Sequence, residues 1–274
     1  MLSVDQAASN LELGEHGIWF SRNSSEVSYP SSGNEDCYQI EESSFWFQHR
    51  NRCLVACVKA FPPSGPIVDI GGGNGFVSQG LQASGFETVV VEPGRAGARN
   101  ARRRGLEQVI CSTLEDAGFR ERSLPAVGLF DVIEHVQEDQ QFLGMLRHLL
   151  VPAGRLYITV PAYSWLWSAD DAFAGHHRRY TLASLGKVLD RSGFDVEFAS
   201  YIFGLLPLPV FLVRSIPSRF GLRSRELPNS AQQHQTSMWA RSLADRAFHW
   251  ELRAIEQRRS IPFGGSCLLV ARPK

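Results

Sequence analysis

The chain has 274 residues, of which 43% are hydrophobic and 20% are charged. This composition is close to that of ordinary globular proteins and excludes an intrinsically disordered chain. The 28 basic and 28 acidic side chains give a formal net charge of zero, so no global positive field favours binding to nucleic acid. The length suits one α/β domain with an insertion, or a domain with a small cap.

The cysteine pattern and the apolar segments restrict the class of protein further. The five cysteines are an odd number without paired CxxC clusters, which argues against a disulfide framework and a zinc ribbon. The first residues lack the apolar core of a signal peptide. Residues 201–213, the most apolar segment, are shorter than the ~20 residues of a membrane span. We therefore predict a cytoplasmic protein without a transmembrane helix and with reduced thiols.

The N-terminal region precedes the regular pattern of the rest of the chain. Residues 1–39 are rich in Ser, Asn and Gly without sustained periodicity, which predicts a flexible lead-in. Between Ile40 and Phe61, apolar residues recur at helical spacing until Pro62 and Pro63 end the pattern. This spacing predicts a helix before the first strand.

After this helix, short runs of Val and Ile alternate with helices of about ten residues, a pattern typical of a parallel sheet with right-handed crossovers. Five parallel strands are predicted up to Pro161, and two further strands close the sheet. We predict an α/β fold: a Rossmann-like, seven-stranded, mostly parallel sheet with helices on both faces. Residues 40–202 form its core, residues 203–262 a helical insertion or cap with a helix from Trp239 to Arg258, and residues 263–274 the last strand.

A glycine turn, VDIGGGNG at residues 68–75, joins the first strand of this core to a helix. Gly71, Gly73 and Gly75 let the backbone turn sharply, so that a ligand can approach main-chain N–H groups. A purely structural turn or an NAD site can use the same glycines. Asp69 favours a ligand with an ammonium group over NAD. Its carboxylate can bind an ammonium group, but it would face the pyrophosphate of NAD unfavourably.

A second acidic residue follows the turn at about 20 residues, the distance typical of a ribose-binding carboxylate. Glu92 ends the next strand in VVVEPG, where its side chain can accept both hydroxyls of a ribose. A surface glutamate at a strand end is the alternative. Beside the glycine turn, Glu92 predicts a site for an adenosine.

These residues resemble the class I S-adenosylmethionine-dependent methyltransferase superfamily, in particular its bacterial small-molecule methyltransferases. The resemblance covers residues 67–194 and the final strand. VDIGGGNG is similar to the first motif of that superfamily, VVVEPG to the second, CSTLEDAGF to the third and VGLFDVIEHV to the fourth. The resemblance implies S-adenosylmethionine as cofactor, bound by Asp69, the three glycines, Glu92 and Pro93.

The third and fourth motifs imply where the rest of the cofactor lies. The resemblance places Thr113 and Leu114 against the adenine ring, although Thr113 stands where the third motif usually has an acidic residue. It places Phe130 and Asp131 beside the methionine part of the cofactor. The methyl acceptor is not identified by any of the four motifs.

Possible catalytic groups follow the fourth strand of the core. Asp131, Glu134 and His135 are spaced i, i+3 and i+4, and share one face if a helix begins there. One interpretation makes His135 a general base tuned by a carboxylate. In another, D-x-x-E-H resembles the E-x-x-E-H spacing of magnesium-dependent ribose and catechol-type O-methyltransferases, which implies a divalent metal on these three residues and His176. In a third, Glu134 and His135 only pair at a helix start.

The loop after the fifth strand resembles a D-x-x-x-G-H-x-R-R-Y-T run of bacterial small-molecule methyltransferases, matched here from Asp171 to Thr181. We expect His176, Arg178 and Arg179 to face the acceptor, together with Trp46 from the first helix. Alternatively, Arg179 pairs with a carboxylate, while Tyr180 packs under the next helix and Thr181 caps it.

These observations predict a methyltransferase of a small molecule, with His135, His176 and Asp131 nearest the chemistry. An oxygen acceptor is preferred, because hydroxyls need a base more than amines do. Three alternatives stay open: an NAD-dependent oxidoreductase, a non-catalytic cofactor-binding scaffold, and a methyltransferase of a lipid-linked or glycan acceptor. The last would touch a membrane surface through residues 201–213 and the arginines that follow, Arg214, Arg219, Arg223 and Arg225.

Overall fold

The computed structural model describes residues 4–22, 38–219 and 238–274, and nine strands of these residues form one sheet. The strands are β1 (Leu11–Leu13), β2 (Ile18–Ser21), β3 (Ile67–Ile70), β4 (Thr88–Val91), β5 (Val109–Cys111), β6 (Leu124–Phe130), β7 (Leu150–Pro161), β8 (Phe194–Ile202) and β9 (Ser266–Pro273). Their spatial order is β1-β2-β5-β4-β3-β6-β7-β9-β8.

The five neighbouring strands β5, β4, β3, β6 and β7 are parallel to one another. β9 lies between β7 and β8 and is antiparallel to both. Every residue of β3 and β4 is buried, which is why these strands are continuous runs of Val, Ile and Thr broken only by Asp69. The predicted mostly parallel sheet of the α/β class is confirmed, with seven strands in the predicted part of the chain. The structure adds two strands that were not predicted.

The two additional strands come from the N-terminal region. The structure contradicts the predicted flexible lead-in for residues 4–22, which form a short helix α1 (Val4–Ala7) and the strands β1 and β2. β2 pairs in parallel with β5, and Ile18 lies buried against Val90 and Val109. The strands are only three and four residues long, too short for a period to stand out in the sequence. Residues 1–3 and 23–37 of the predicted lead-in lie outside the described residues.

Helices cover both faces of the sheet. They are α2 (Phe45–Ala60), α3 (Phe76–Ala83), α4 (Arg95–Arg103), α5 (Leu114–Ala117), α6 (Asp139–Leu149), α7 (Ala169–Ala174), α8 (Leu182–Arg191), α9 (Pro207–Val210), a π-helical turn (Phe211–Ser215), α10 (Ile216–Arg219) and α11 (Met238–Glu256). The helices α9 to α11 lie within the predicted insertion, before the last strand. None of the described helices is both long and apolar enough to cross a membrane.

The hydrophobic core consists of two main layers, one on each face of the sheet. One layer includes residues of α6 and α8, and the other includes residues of α2, α3 and α11. The four described cysteines lie buried and unpaired in these and the adjoining layers: Cys53, Cys57, Cys111 and Cys267. Cys37 lies outside the described residues.

Candidate active site

The glycine turn lies between the end of β3 and the start of α3. Gly71 and Gly75 have φ angles of +66° and +76°, a region that other residues rarely adopt. A Cβ atom on Gly75 would overlap the side chain of Leu106 and lie 3.0 Å from the Cβ atom of Ala101. Glycine at position 75 therefore allows α3 to start close to its neighbours.

A cleft of about 700 Å³ opens over this turn, at the carboxyl ends of the central strands; we call it the larger cleft. Nine of the ten residues that the sequence assigned to the cofactor line it: Asp69, Gly71, Gly73, Glu92, Pro93, Thr113, Leu114, Phe130 and Asp131. Gly75 is not part of this lining. It packs closely against Leu106 and Ala101 instead.

Two carboxylates are fixed beside the turn, Asp69 in β3 and Glu92 directly after β4. Glu92 accepts hydrogen bonds from the backbone N–H groups of Gly73 at 2.9 Å and Gly94 at 2.7 Å. Asp69 accepts one from the Ser78 hydroxyl at 2.7 Å, and burial raises the pKa of Asp69 to about 6. A carboxylate oxygen can accept more than one hydrogen bond, so both groups can bind a ligand while they keep these hydrogen bonds.

The third motif forms another wall of the larger cleft. Thr113 caps α5, with its hydroxyl accepting a hydrogen bond from the Asp116 backbone N–H at 3.0 Å. This bond explains the residue type at position 113, since Thr is a favoured N-cap. The apolar side chain of Leu114 follows it in the lining.

A second cleft of about 450 Å³, the smaller cleft, lies beside the larger one. Its walls include the indole of Trp46, which is stacked on the ring of Phe203 at 5.4 Å. The two clefts share six lining residues: Phe47, Arg50, Phe130, Asp131, His135 and Ala174. A ligand in one cleft can therefore meet a ligand in the other at the end of β6.

At this junction, Asp131 is held by an arginine that the sequence reasoning did not single out. The Nη2 atom of Arg50 lies 2.8 Å from Asp131 Oδ2 and donates to the Phe130 carbonyl at 2.9 Å. Asp131 itself has a φ of +60°, a strained conformation for a non-glycine residue. The i, i+4 spacing of Trp46 and Arg50 on α2 was the available signal, because it puts both side chains on one face.

Two histidines of the smaller cleft are in edge-to-face contact, with the ring centroids of His135 and His176 4.7 Å apart. Burial and the neighbouring His176 lower the pKa of His135 to about 4. The Nδ1 atom of His176 lies 2.9 Å from a carboxylate oxygen of Asp171. Burial alone would raise the pKa of Asp171, but hydrogen bonds from His176 and Arg179 lower it to about 2.

Glu134 is completely buried below these histidines. Within the described part of the chain, neither of its carboxylate oxygens has a hydrogen-bond partner. Its carboxylate lies within 4.8 Å of ring nitrogens of His135 and His176. Burial, together with the charge of Asp131, raises the pKa of Glu134. A buried carboxyl without a partner is costly and points to a role in binding or catalysis.

The predicted helical face of Asp131, Glu134 and His135 is not what the structure shows. A 3₁₀ turn (Ile133–His135) follows β6, and Asp131 lies before it in a left-handed conformation. Of the four residues predicted to bind a metal, the structure brings Glu134, His135 and His176 together. Asp131 is instead paired with Arg50.

The two arginines of the loop are bound to carboxylates. Arg178 donates to Asp139 at 3.0 Å and lies outside both clefts, at odds with its predicted role in binding the acceptor. Arg179 lines the smaller cleft, but its guanidinium forms two hydrogen bonds to Asp171, at 2.7 and 3.0 Å. The alternative interpretation of Arg179 as the partner of a carboxylate matches this geometry.

Residues 38–198 match a family model described as a methyltransferase domain. The chain belongs to this family. Among curated proteins, the methyltransferase is similar to a ubiquinone biosynthesis O-methyltransferase of Xylella fastidiosa, with 29% identity over 109 residues. The match covers 37% of this chain and 44% of that relative, so it spans less than half of the relative's length.

Solved structures show the same fold. An S-adenosylmethionine-dependent methyltransferase from Thermotoga maritima has a TM-score of 0.55 at 15% identity, covering 89% of this chain and 95% of its own. Phosphoethanolamine N-methyltransferase 2 of Haemonchus contortus, in complex with S-adenosylmethionine, has a TM-score of 0.53 at 19% identity, covering 91% of this chain and 59% of its own. The chain therefore has the fold of S-adenosylmethionine-dependent methyltransferases.

Proposed function

We propose that the methyltransferase binds S-adenosylmethionine in the larger cleft and methylates an oxygen atom of a small apolar acceptor in the smaller cleft. The observation that carries this proposal is the junction of the two clefts at Phe130, Asp131 and His135. Methyl transfer from a sulfonium needs the sulfur, the methyl group and the acceptor atom in line. A single junction between two clefts suits that alignment.

In this proposal the glycine turn holds the cofactor. Glu92 binds the ribose hydroxyls, since its carboxylate is fixed by two backbone N–H groups beside the turn. Asp69 attracts the ammonium group of the methionine part, and Leu114 packs against the adenine. Asp131, with its charge balanced by Arg50, lies next to the reacting methyl group.

The walls of the smaller cleft favour an acceptor with an aromatic ring. Trp46, Phe47 and Phe203 supply aromatic surface, and Leu206 and Val210 add aliphatic surface. Apolar lining of this kind binds apolar ligands, and aromatic rings pack well on other rings. His135 and His176 contribute imidazole groups to the same lining. A phenolic acceptor would place its hydroxyl beside these imidazoles.

His176 is the best-placed base for such a hydroxyl. Its Nδ1 atom is bound to Asp171, whose low pKa keeps that carboxylate ionised. If Nδ1 carries the proton, Nε2 is the accepting atom, as in other histidine–carboxylate pairs. In the reaction the acceptor hydroxyl gives its proton to Nε2 of His176, and its oxygen then bonds to the methyl carbon as the carbon–sulfur bond breaks.

The buried glutamate favours a second candidate, in which Glu134, His135 and His176 hold a divalent cation. The donor set fits: Glu134 is buried without a partner, and the lowered pKa of His135 keeps its ring in the neutral, ligating form. Asp171 behind His176 is the outer carboxylate that metal-bound histidines often have. A bound cation would lower the pKa of an acceptor hydroxyl and orient it.

One screen tests the proposed reaction. The purified protein is incubated with S-adenosylmethionine and a panel of phenols, catechols, aliphatic alcohols and amines, each with and without a chelator. We expect an O-methylated phenol or catechol, identified by mass spectrometry together with S-adenosylhomocysteine. Methylation of nitrogen alone would contradict the oxygen acceptor.

The metal is tested separately from activity, by titration with Co²⁺ followed by visible absorption. Binding by the wild type that is lost in Glu134→Gln and His176→Gln would support the cation site. His177→Gln is the matched control, since His177 adjoins His176 but is not part of the three-residue group. Absence of binding by the wild type would contradict the cation and leave His176 as the base.

A further inference from the structure

Residues 205–219, which we call the cap segment, carry an exposed apolar stripe. Leu205, Leu208, Leu212 and Val213 are 53%, 64%, 60% and 68% exposed. Together with exposed Pro209 they recur at positions 205, 208, 209, 212 and 213, so the outward side of α9 and of the π-helical turn is apolar. A contiguous apolar surface of this kind marks an interaction site.

The opposite face of the cap segment packs against the rest of the protein, so the exposed stripe cannot turn inward. Pro207, Val210 and Arg214 line the smaller cleft. The hydroxyl of buried Ser215 donates a hydrogen bond to the Leu166 carbonyl at 2.9 Å. One face thus forms a wall of the smaller cleft while the other presents leucines outward.

The cap segment itself contains two arginines and no acidic residue; Arg214 faces the smaller cleft and pairs with Asp170 at 3.6 Å, so Arg219 is its outward positive charge. Residues 198–225 contain no Asp and no Glu, but they contain four arginines: Arg214, Arg219, Arg223 and Arg225. Arg219 is exposed at the end of α10, where it donates to the Trp165 carbonyl. An apolar helix face combined with an excess of arginine is typical of helices that lie in the headgroup region of anionic membranes.

We propose that the cap segment binds the surface of an anionic lipid bilayer, with its apolar stripe in the boundary between headgroups and acyl chains. The charge favours a bilayer over a second copy of this chain, since the same basic segment on both copies would repel. Bilayer binding does not depend on methyl transfer. The further consequence, that an acceptor can enter the smaller cleft from the bilayer, rests on the proposed function.

The test is cosedimentation of the full chain with vesicles of equal parts phosphatidylglycerol and phosphatidylcholine, and with vesicles of phosphatidylcholine alone. We expect binding to the mixed vesicles that weakens at high salt and is weaker on neutral vesicles. The triple variant Leu208→Gln, Leu212→Gln, Val213→Gln should reduce the partition coefficient about tenfold or more, because three apolar side chains leave the bilayer. All three side chains are exposed, so the fold should persist.

Leu13→Gln is the matched control. Leu13 is 61% exposed on β1, at the opposite edge of the sheet from β8 and β9. This variant should bind the mixed vesicles like the wild type. Titration of each variant with S-adenosylhomocysteine reports the cofactor site independently, so a failure of the proposed function is distinguished from a failure of membrane binding.

Two results would overturn the proposal: a wild-type protein that stays in the supernatant with mixed vesicles, or a triple variant that binds them as tightly as the wild type. Light scattering identifies the alternative occupant. A wild-type dimer that becomes a monomer in the triple variant, without vesicle binding by either, would assign the stripe to contact between two copies of the chain.

Discussion

The larger and smaller clefts are built in different ways. The larger cleft is formed mainly by turns that directly follow neighbouring parallel strands, and the backbone N–H groups of Gly73 and Gly94 hold its acidic residue Glu92. The smaller cleft combines side chains from α2, the loop after β7 and the cap segment. The shape of the larger cleft therefore follows from the fold of the sheet, whereas the smaller cleft depends on side chains from distant parts of the sequence.

The two clefts also differ in how their ionisable groups are satisfied. In the larger cleft, Asp69 and Glu92 both accept hydrogen bonds. In the smaller cleft, Glu134 has no hydrogen-bond partner among the described residues, and the pKa values of His135 and Asp171 are strongly lowered. Perturbed groups cluster where chemistry occurs. A shifted pKa does not by itself separate the clefts, because the pKa of Asp69 in the larger cleft is raised and His135 lines both; the unpartnered carboxyl of Glu134 is the feature that distinguishes the smaller cleft.

The largest expected effect concerns the smaller cleft. His176→Gln should lower kcat about 10²- to 10⁴-fold, because it removes the proposed base or metal ligand. The dissociation constant of S-adenosylhomocysteine should stay unchanged. Initial rates with an acceptor found by the screen and calorimetry with S-adenosylhomocysteine measure the two quantities.

His177→Gln is the control for this prediction, since it removes the adjacent imidazole of the same loop. Because His177 lines the larger cleft, the variant is compared at saturating S-adenosylmethionine, where it should keep most of kcat. Equal losses of kcat in the two variants would contradict a specific role for His176 and assign the effect to the loop as a whole.

The next effect concerns the larger cleft. Gly75→Ala should lower the free energy of unfolding by about 2–5 kcal/mol, because a left-handed conformation and a close approach to Leu106 both oppose a Cβ atom. Gly144→Ala is the control: it lies within α6 with no atom near the new Cβ. It should stabilise the protein by about 0.5–1 kcal/mol. Denaturant unfolding that gives the same change for both variants would contradict the packing described for the glycine turn.

The smallest effect is a pH dependence from Glu134. Its folded-state pKa is raised above the ordinary value of 4.5, so the unfolded chain releases this proton at a lower pH than the folded chain does. The wild type should therefore lose stability relative to Glu134→Gln as the pH rises above 4.5. Thermal unfolding at several pH values measures the difference.

Glu138→Gln, which changes an exposed glutamate of the same region, should not show this trend. A constant difference between the wild type and Glu134→Gln at all pH values would mean that the Glu134 carboxyl does not titrate in this range. Addition of a divalent cation should stabilise the wild type at neutral pH if Glu134 binds it, and should leave Glu134→Gln unchanged.

The larger cleft was predictable because its residues are contiguous in the sequence. The run from Val68 to Gly75 and the acidic residue at the end of the next strand each lie on one strand and its following turn. Parallel strands bring their carboxyl ends to the same edge, so these segments meet without further information. The central sheet was predictable for the same reason, from runs of buried Val and Ile.

The smaller cleft was only partly predictable, because its contacts join distant segments. The pairing of Arg50 with Asp131 links α2 to the end of β6. Arg178 reaches Asp139 at the start of α6, and so turns away from the clefts. No local pattern specifies which carboxylate an arginine will reach. The left-handed backbone of Asp131 is likewise set by its tertiary surroundings.

The central claim is that the larger cleft is the cofactor site, and calorimetric titration with S-adenosylhomocysteine tests it most directly. The wild type should bind S-adenosylhomocysteine but not NAD. Glu92→Gln should bind about ten- to a hundredfold more weakly, because a charged acceptor of the ribose hydroxyls is lost, while exposed Glu121→Gln should bind like the wild type. Binding of NAD instead, or equal affinity of Glu92→Gln and the wild type, would contradict the account.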